Sequence, residues 1–446
     1  MSDKQIIKPQ PISGFPEWLP EQKLVEERLL RIIRREFERF GFTPIETPAV
    51  ERKEILTAKG IVEKEIYALS RLAAGEGEDP STEMALHFDL TVPLARYVAQ
   101  HFSQLSFPFR RYQIQKVWRG ERPQAGRFRE FYQCDIDIVG NGSLSALNDA
   151  EIPCVIHSIF SQIGIGRFVI RINNRKVLQG LLEIHGVPQD RYQAALRAID
   201  SLEKIGEEKV ANELISDAGM AADRARALLE LLTTAPDLDA LRRMDGSETL
   251  RRGVDELSEV AAGLRALGMP DDVWRIDLTI ARGLDYYTGT VYETQLVDNP
   301  EIGSICSGGR YDDLASNYTR QNLPGVGISI GLTRLLSRLF DAGLLKPGAQ
   351  TPATVLVTTM DRRFLADYLA LASELRRAGI DTEVYTEPKR LGDQLKYADR
   401  KGFRVAVVAG DSEFAENSLT VKDLASGAQM RIPRENLVEA VSVLVR

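Results

Sequence analysis

Two neighbouring stretches of alternating residues most constrain how this 446-residue chain can fold. Phe109-Arg-Arg-Tyr-Gln-Ile-Gln-Lys-Val-Trp leads in, and Phe131-Tyr-Gln-Cys-Asp-Ile-Asp-Ile-Val returns with the two-residue period of a strand. The loop between them is long and polar and holds Arg119, Glu121, Arg122, Pro123, Gly126, Arg127 and Arg129. The strand period puts Phe131, Gln133, Asp135 and Asp137 on one face of the returning segment. The pattern is an antiparallel pair with polar groups aligned beneath an arginine-rich loop.

Residues 1–20 carry Pro9, Pro11, Pro16 and Pro20 and read as an extended lead-in. Val25, Leu29, Ile32, Ile33, Phe37 and Phe40 then repeat at helical spacing, and Gly41 is placed to cap that helix. Phe42 to Val50 reads as extended, Asp149 to Ile163 as a helix and Phe168 to Ile172 as a strand. From about residue 176 to 268 the chain is rich in Ala, Leu, Glu and Arg with helical periodicity, which predicts an all-helical insertion. Strand patterns resume at Trp274 to Leu278 and Thr290 to Val297. Residues 344–353 read as a linker. Beyond it, strand and helix signals alternate through residues 354–446, predicting a separate α/β unit with a mostly parallel sheet. The expectation is therefore a first part over 1–175, the insertion over 176–268, a second part over 269–343, and the last unit.

Composition narrows the class. With 57 basic and 64 acidic side chains the net charge is −7, and 43% of residues are apolar. Such a chain buries a core; it is neither disordered nor a small disulfide scaffold. No apolar run approaches the ~20 residues that span a bilayer. The opening Met1-Ser-Asp-Lys-Gln lacks a secretory apolar segment, so a cytoplasmic protein without a membrane partner is expected. Cys134, Cys154 and Cys306 are odd in number and widely spaced, and His87, His101, His157 and His185 lack metal-ligand spacing. No protein metal site is expected. The acidic balance argues against a generic DNA binder but allows local basic surface for another nucleic acid.

Arg110 to Glu130 supplies that basic surface, with seven basic residues against two acidic ones. The planar guanidinium fork matches phosphate oxygens, so this loop could clamp a nucleoside triphosphate. A solvated hairpin braced by salt bridges would carry the same charges. The aligned Gln133, Asp135 and Asp137 suit a substrate bearing an ammonium group. Arg282-Gly-Leu-Asp-Tyr-Tyr-Thr-Gly offers tyrosine rings to wall a slot. Gly308-Gly309 and Gly325-x-Gly327 read equally well as ordinary turns, and no Walker P-loop occurs.

Together these segments resemble the histidyl-tRNA synthetases, a family of class II aminoacyl-tRNA synthetases, over nearly all the chain past residue 20. Arg119-Gly-Glu-Arg-Pro-Gln-Ala-Gly-Arg-Phe-Arg-Glu-Phe-Tyr-Gln-Cys-Asp-Ile-Asp is similar to the second class II motif. The run from Arg282 and the run Ser307-Gly-Gly-Arg-Tyr-Asp-Asp-Leu are similar to histidine-specific signatures. Gly331-Leu-Thr-Arg334-Leu looks like the third class II motif, and Pro44-Ile-Glu-Thr-Pro48 like the first, which lies at a dimer interface. The resemblance implies an α+β fold: an antiparallel sheet flanked by helices, a helical insertion and a C-terminal α/β anticodon-binding domain. It also implies a homodimer.

By the same resemblance the chain would ligate L-histidine to its tRNA through histidyl-adenylate, with ATP as substrate and Mg2+ on the pyrophosphate side. Arg282 would be the catalytic cation, and Arg119 would bind the α-phosphate and the histidine carboxylate. Glu121 would contact adenine, and Arg127 and Arg334 the far phosphates. Asp89, Thr91, Gln133 and Asp137 would hold the α-amino group or substrate backbone, and Tyr286 and Tyr287 would line the imidazole slot. Lys389, Arg390, Lys396, Arg400 and Lys401 become candidate anticodon-stem contacts, and the insertion a contact for the acceptor arm. His87 departs from the family's usual arginine just before Asp89-Leu-Thr91, and the opening around Pro11 to Pro20 matches only loosely. The rival readings are a catalytically silent regulatory relative, which would lack residues 354–446, and a tRNA sensor, which would lack the ATP-side arginines.

Overall fold

The computed structural model describes residues 7–58, 65–70, 83–122, 126–234, 237–281, 287–313, 315–387 and 389–445. The chain divides into two compact units: one runs to Pro16 and resumes over Leu30–Leu345, and the other joins Glu17–Leu29 to the chain from Lys346.

In the first unit the strands are β1 (Thr43–Pro44), β2 (Val50–Arg52), β3 (Met84–Leu86), β4 (Phe109–Trp118), β5 (Glu130–Val139), β6 (Phe168–Asn174), β7 (Trp274–Ile276), β8 (Thr290–Leu296), β9 (Cys306–Tyr311) and β10 (Gly325–Gly331). Eight of them form one sheet in the order β1-β4-β5-β10-β9-β8-β6-β7, and β2 pairs with β3 separately. Only the edge pairs β1 with β4 and β6 with β7 are parallel.

This sheet has two unlike faces because its strands alternate. Cys134, Ile136 and Ile138 of β5 point to an apolar face and are fully buried. Helices cover that face. Phe37, on the helix Pro20–Arg39, stacks on Tyr112 of β4 at 5.7 Å between ring centres. The helix Leu147–Ile163 is tied to the sheet through Asp149, whose carboxylate takes Arg310 at 2.6 Å and the Thr290 hydroxyl at 2.6 Å. Gln133, Asp135 and Asp137 point to the opposite, polar face, which holds the site described below.

Between β6 and β7 the chain is helical, from Arg175–Ile184 to Glu248–Ala266. Those two helices approach closely through glycines: a Cβ on Gly180 would lie 2.4 Å from the Leu250 nitrogen, and one on Gly253 2.5 Å from that of Val177. A further link is Arg171 of β6, buried and held by Asp277 at 2.7 Å and by Glu203 at 2.6 Å.

In the second unit β11 (Val355–Val357), β12 (Thr382–Val384), β13 (Val405–Val408), β14 (Ser418–Asp423) and β15 (Gln429–Pro433) form one sheet, ordered β12-β11-β13-β14-β15. Its first three strands are parallel, but β14 and β15 run antiparallel. The sheet is thus half parallel, not mostly so. The link from β13 to β14 holds only the short helix Asp411–Ala415, too little chain for a parallel crossover. Val355, Val357, Val405 and Val407 pack with Tyr368, Leu371, Leu375, Leu437 and Val441 as its core.

The helix Leu391–Lys401 ends where Gly402 turns left-handed at φ 79°. Its buried Gln394 donates to the carbonyls of Thr359 (2.6 Å) and Lys389 (2.9 Å). Lys389, Arg390, Lys396 and Arg400 are exposed, whereas Lys401 is half-buried and engaged with Glu383 and Tyr397. Among the described residues no helix is long and apolar enough to cross a membrane.

Candidate active site

The polar face of the sheet floors a cleft of about 750 Å³. Strand register builds that floor in rows: Asp137 lies beside Arg111 and Gly327, and Asp135 beside Gln113 and Ser329. The next neighbours across β10 are Gly309 and Ser307 of β9.

The glycine pairs sit within strands β9 and β10, not in turns. The reason is close approach across the sheet. A Cβ on Gly308 would meet the Gly327 carbonyl at 2.1 Å, and one on Gly309 the Thr290 carbonyl at 2.6 Å. A Cβ on Gly327 would lie 2.2 Å from Asp137 Oδ1. Bare backbone leaves room there for a carboxylate and, above it, a ligand.

Asp89, Thr91, Arg119, Glu121, Arg127, Gln133, Asp137, Tyr287 and Arg334 all line this one cleft. Arg282 and Tyr286 lie outside the described residues, but Ala281 and Tyr287 on either side of that segment both reach the cleft wall. Asp89 precedes the helix Thr91–Gln100 and accepts the Val92 N–H at 3.1 Å. Arg119 donates to the Phe88 carbonyl at 3.0 Å and lies over the Phe131 ring at 5.1 Å. Arg127 stands 3.6 Å from Glu121 with more than half its side chain exposed.

The basic window splits between the two expected roles. Arg119, Arg122 and Arg127 line the cleft. Arg110 instead faces the apolar side and pairs with Glu151 at 2.6 Å, and Lys116 pairs with Glu130 at 2.6 Å. Arg129 donates to the Glu121 carbonyl at 3.1 Å, bracing the loop.

Arg111 is the residue that sequence reasoning did not single out. It is fully buried on the cleft side of β4, with Nη2 2.5 Å from Asp137 Oδ2. Tyr311 of β9 adds a hydroxyl donated to Asp137 Oδ1 at 2.8 Å. The period-two count puts both on the polar face, but only the fold brings them to Asp137. His87, by contrast, does not line the cleft. It is buried, donates from Nε2 to the Lys116 carbonyl at 2.7 Å and packs on Trp118. Burial lowers its pKa, so it serves as a neutral packing group.

Burial dominates the electrostatics of the floor. It pushes Asp89 up to about 6, although the Val92 N–H, Arg119 and Arg111 draw it back. Asp137 is pushed to about 6 against the pull of Arg111 and Tyr311. Asp135 rises to about 7, with Arg111 and Ser329 favouring its charged form and the two other carboxylates opposing it. Carboxylates poised in this way ionise readily once a cation arrives.

An antiparallel sheet flanked by helices, with carboxylates on its floor and arginines at its mouth, is the layout expected of a class II aminoacyl-tRNA synthetase. Comparison with known proteins agrees. The model of the histidyl-tRNA synthetase family matches residues 14–335, and that of the anticodon binding domain matches residues 354–444. A histidine–tRNA ligase of Xanthomonas oryzae pv. oryzae is 47% identical over 461 residues, covering 98% of each chain. One from Xylella fastidiosa is 48% identical over 458 residues with the same coverage. The crystal structure of histidyl-tRNA synthetase from Nostoc sp. PCC 7120 is 44% identical and similar at a TM-score of 0.89, over 98% of this chain and 100% of that one. The chain belongs to the histidyl-tRNA synthetase family.

Proposed function

We infer that this chain joins L-histidine to its tRNA with ATP as the energy source. In the first step a histidine carboxylate oxygen attacks the α-phosphorus of ATP, the bond to the β-phosphate oxygen breaks, and pyrophosphate leaves. In the second, the terminal ribose hydroxyl of tRNA attacks the adenylate carbonyl and AMP leaves. The observation that carries this reading is the gathering of Asp89, Thr91, Gln133 and Asp137 in the same cleft that Arg119, Arg127 and Arg334 line.

Each role follows from charge. Arg119 bridges the histidine carboxylate and the α-phosphate, bringing nucleophile and electrophile together while neutralising their repulsion. Arg282 stabilises the charge that grows on the phosphate oxygens, which is most of what a protein contributes to this transfer. A guanidinium keeps its charge at any working pH. Arg127 and Arg334 hold the far phosphates, and Glu121 accepts from the adenine amino group. Asp89, Thr91, Gln133 and Asp137 receive the ammonium end of the amino acid, and Tyr286 and Tyr287 flank its ring. A pocket that hydrogen-bonds the ring rejects apolar side chains strongly, because its polar groups would be left unpaired.

Mg2+ suits this chemistry as a companion of the nucleotide. It binds phosphate oxygens with one or two carboxylates at most, and Glu65 in the cleft wall is the candidate. When bound it would neutralise the leaving pyrophosphate. Among the described residues no group of three or more acidic, His or Cys side chains is arranged to hold a metal by itself. We further assign the second unit to the anticodon, with Lys389, Arg390, Lys396 and Arg400 as exposed phosphate partners. The insertion would meet the acceptor arm. The site of work would be the cytoplasm, and the working form a homodimer that uses the segment Pro44 to Pro48.

Amino-acid-dependent ATP–pyrophosphate exchange, run with each of the twenty amino acids and no tRNA, tests this reading. Exchange with histidine alone is expected. Exchange with none of them, in folded protein supplied with Mg2+, would overturn the enzymatic reading and favour a silent relative.

A further inference from the structure

One buried cation of the cleft wall has no part in the chemistry assigned above. Arg175 lines the cleft and is only 3% exposed. It holds the first position of the helix Arg175–Ile184, where the positive end of the helix dipole disfavours a cation. A guanidinium kept in such a place has to be repaid by its neighbours.

One of those neighbours is the backbone that leads into Arg282. β7 ends at Ile276, and after Asp277, whose N–H still donates to the Ile172 carbonyl at 2.9 Å, the chain leaves the sheet. Leu278, Ile280 and Ala281 are buried, so their carbonyls need donors from outside a strand ladder. Side chains provide them. Asn173 of β6 donates from Nδ2 to the carbonyls of Leu278 (3.2 Å) and Ile280 (2.9 Å). Arg175 donates from Nη1 to the Ala281 carbonyl at 2.8 Å, a charge-assisted bond. The backbone N–H of Arg175 also donates to the Gly289 carbonyl at 2.8 Å. A single residue thus grips the chain just before Arg282 and again two residues after Tyr287.

We propose that Arg175 is a positioning residue for the first step: its hydrogen bond to Ala281 sets where Arg282 stands, an inference that rests on the proposed function. The planar peptide carries the effect one residue on, because the Ala281 carbonyl and the Arg282 Cα belong to one rigid unit. The grip comes from the first helix of the insertion. The insertion therefore acts in adenylate formation itself, before any tRNA binds.

The test is histidine-dependent ATP–pyrophosphate exchange without tRNA, with urea unfolding on the same preparations. Arg175→Met keeps the length of the side chain but no donor, and should lower kcat about a hundredfold, as a displacement of about 1 Å does. Arg175→Lys keeps the charge in a different geometry and should lower kcat about tenfold. In both, KM for ATP and for histidine should stay within about threefold, and the urea midpoint of Arg175→Lys should match that of the unaltered protein. Placed in an Arg282→Ala background, Arg175→Lys should lower exchange by less than about twofold more, because residues that act as a unit are not additive.

Three results would overturn the proposal. Unchanged kcat in both variants would show that the grip on Ala281 does not matter, and a rise in KM for ATP with kcat intact would make Arg175 an ordinary phosphate ligand. Losses that multiply with Arg282→Ala, or unfolding of Arg175→Lys as well as Arg175→Met, would show that Arg175 does not work through Arg282. If the unaltered protein supports no exchange with histidine, the ligase reading itself fails and this inference falls with it.

Discussion

Asp137 and Gly327 are register partners on β5 and β10, and the carboxylate of one occupies the space that a side chain on the other would need. This relationship makes a glycine part of the substrate site without any functional group of its own. In Gly327→Ala the new methyl would meet Asp137 Oδ1 at 2.2 Å and the Ile136 carbonyl at 2.3 Å, so strand or carboxylate must move. Overpacking of this kind costs about 1–3 kcal/mol of stability. Histidine-dependent exchange should fall by roughly a hundredfold, since a misplacement of about 1 Å costs that much. Urea unfolding and exchange kinetics on the same preparation check both.

Tyr311→Phe removes only the hydroxyl that reaches Asp137 at 2.8 Å. The buried carboxylate oxygen loses a donor, a loss of about 1–3 kcal/mol for a buried acceptor. The KM for histidine should rise about tenfold while the KM for ATP stays within about twofold. Steady-state exchange with each substrate varied in turn reads the two effects separately.

Stability of the ligand-free protein should fall with rising pH. Asp89, Asp135 and Asp137 titrate at about 6, 7 and 6 in the fold, above the ordinary aspartate value. Between about pH 4 and pH 7 the native state therefore holds more protons than the unfolded chain, and the unfolding free energy declines as pH rises. A bound cation removes that penalty, so saturating histidine should raise Tm more near pH 8 than near pH 5. Thermal unfolding with and without histidine at the two pH values is the measurement, and equal shifts would contradict it.

Arg282→Ala should abolish adenylate formation by a factor of about a hundred to a thousand, as for loss of one group aimed at developing charge. Histidine binding, followed by calorimetry, should weaken far less. Near-normal turnover in this variant would remove Arg282 from the catalytic role.

Much of the local structure was legible in the sequence. The strands around Arg111 and Asp135 declared themselves through alternation, and the first helix through the helical spacing of Val25 to Phe40 and the cap at Gly41. Residues whose meaning depends on a distant neighbour were not legible. Gly308 and Gly327 could equally have been turn residues, because nothing local reveals that each lies in another strand's path. Arg110 and Arg111 are adjacent and chemically identical, yet one braces a helix through Glu151 and the other sits in the site. Only the pleat and the packing separate them. His87 departs from the family's usual arginine, and only the fold shows that its ring packs on Trp118 and does not line the cleft.

The sheet order has a consequence for how the protein is made. β5 ends at Val139, but the strand that completes its polar side, β10, begins at Gly325. On a ribosome that adds about 5–20 residues each second, the acidic strand waits roughly ten to forty seconds for its neighbour. During that interval the segment has an open hydrogen-bonding edge, a hazard that edge-protecting charges reduce. The aspartates of β5 therefore have work to do before any substrate arrives: their mutual repulsion discourages one nascent chain from pairing with another.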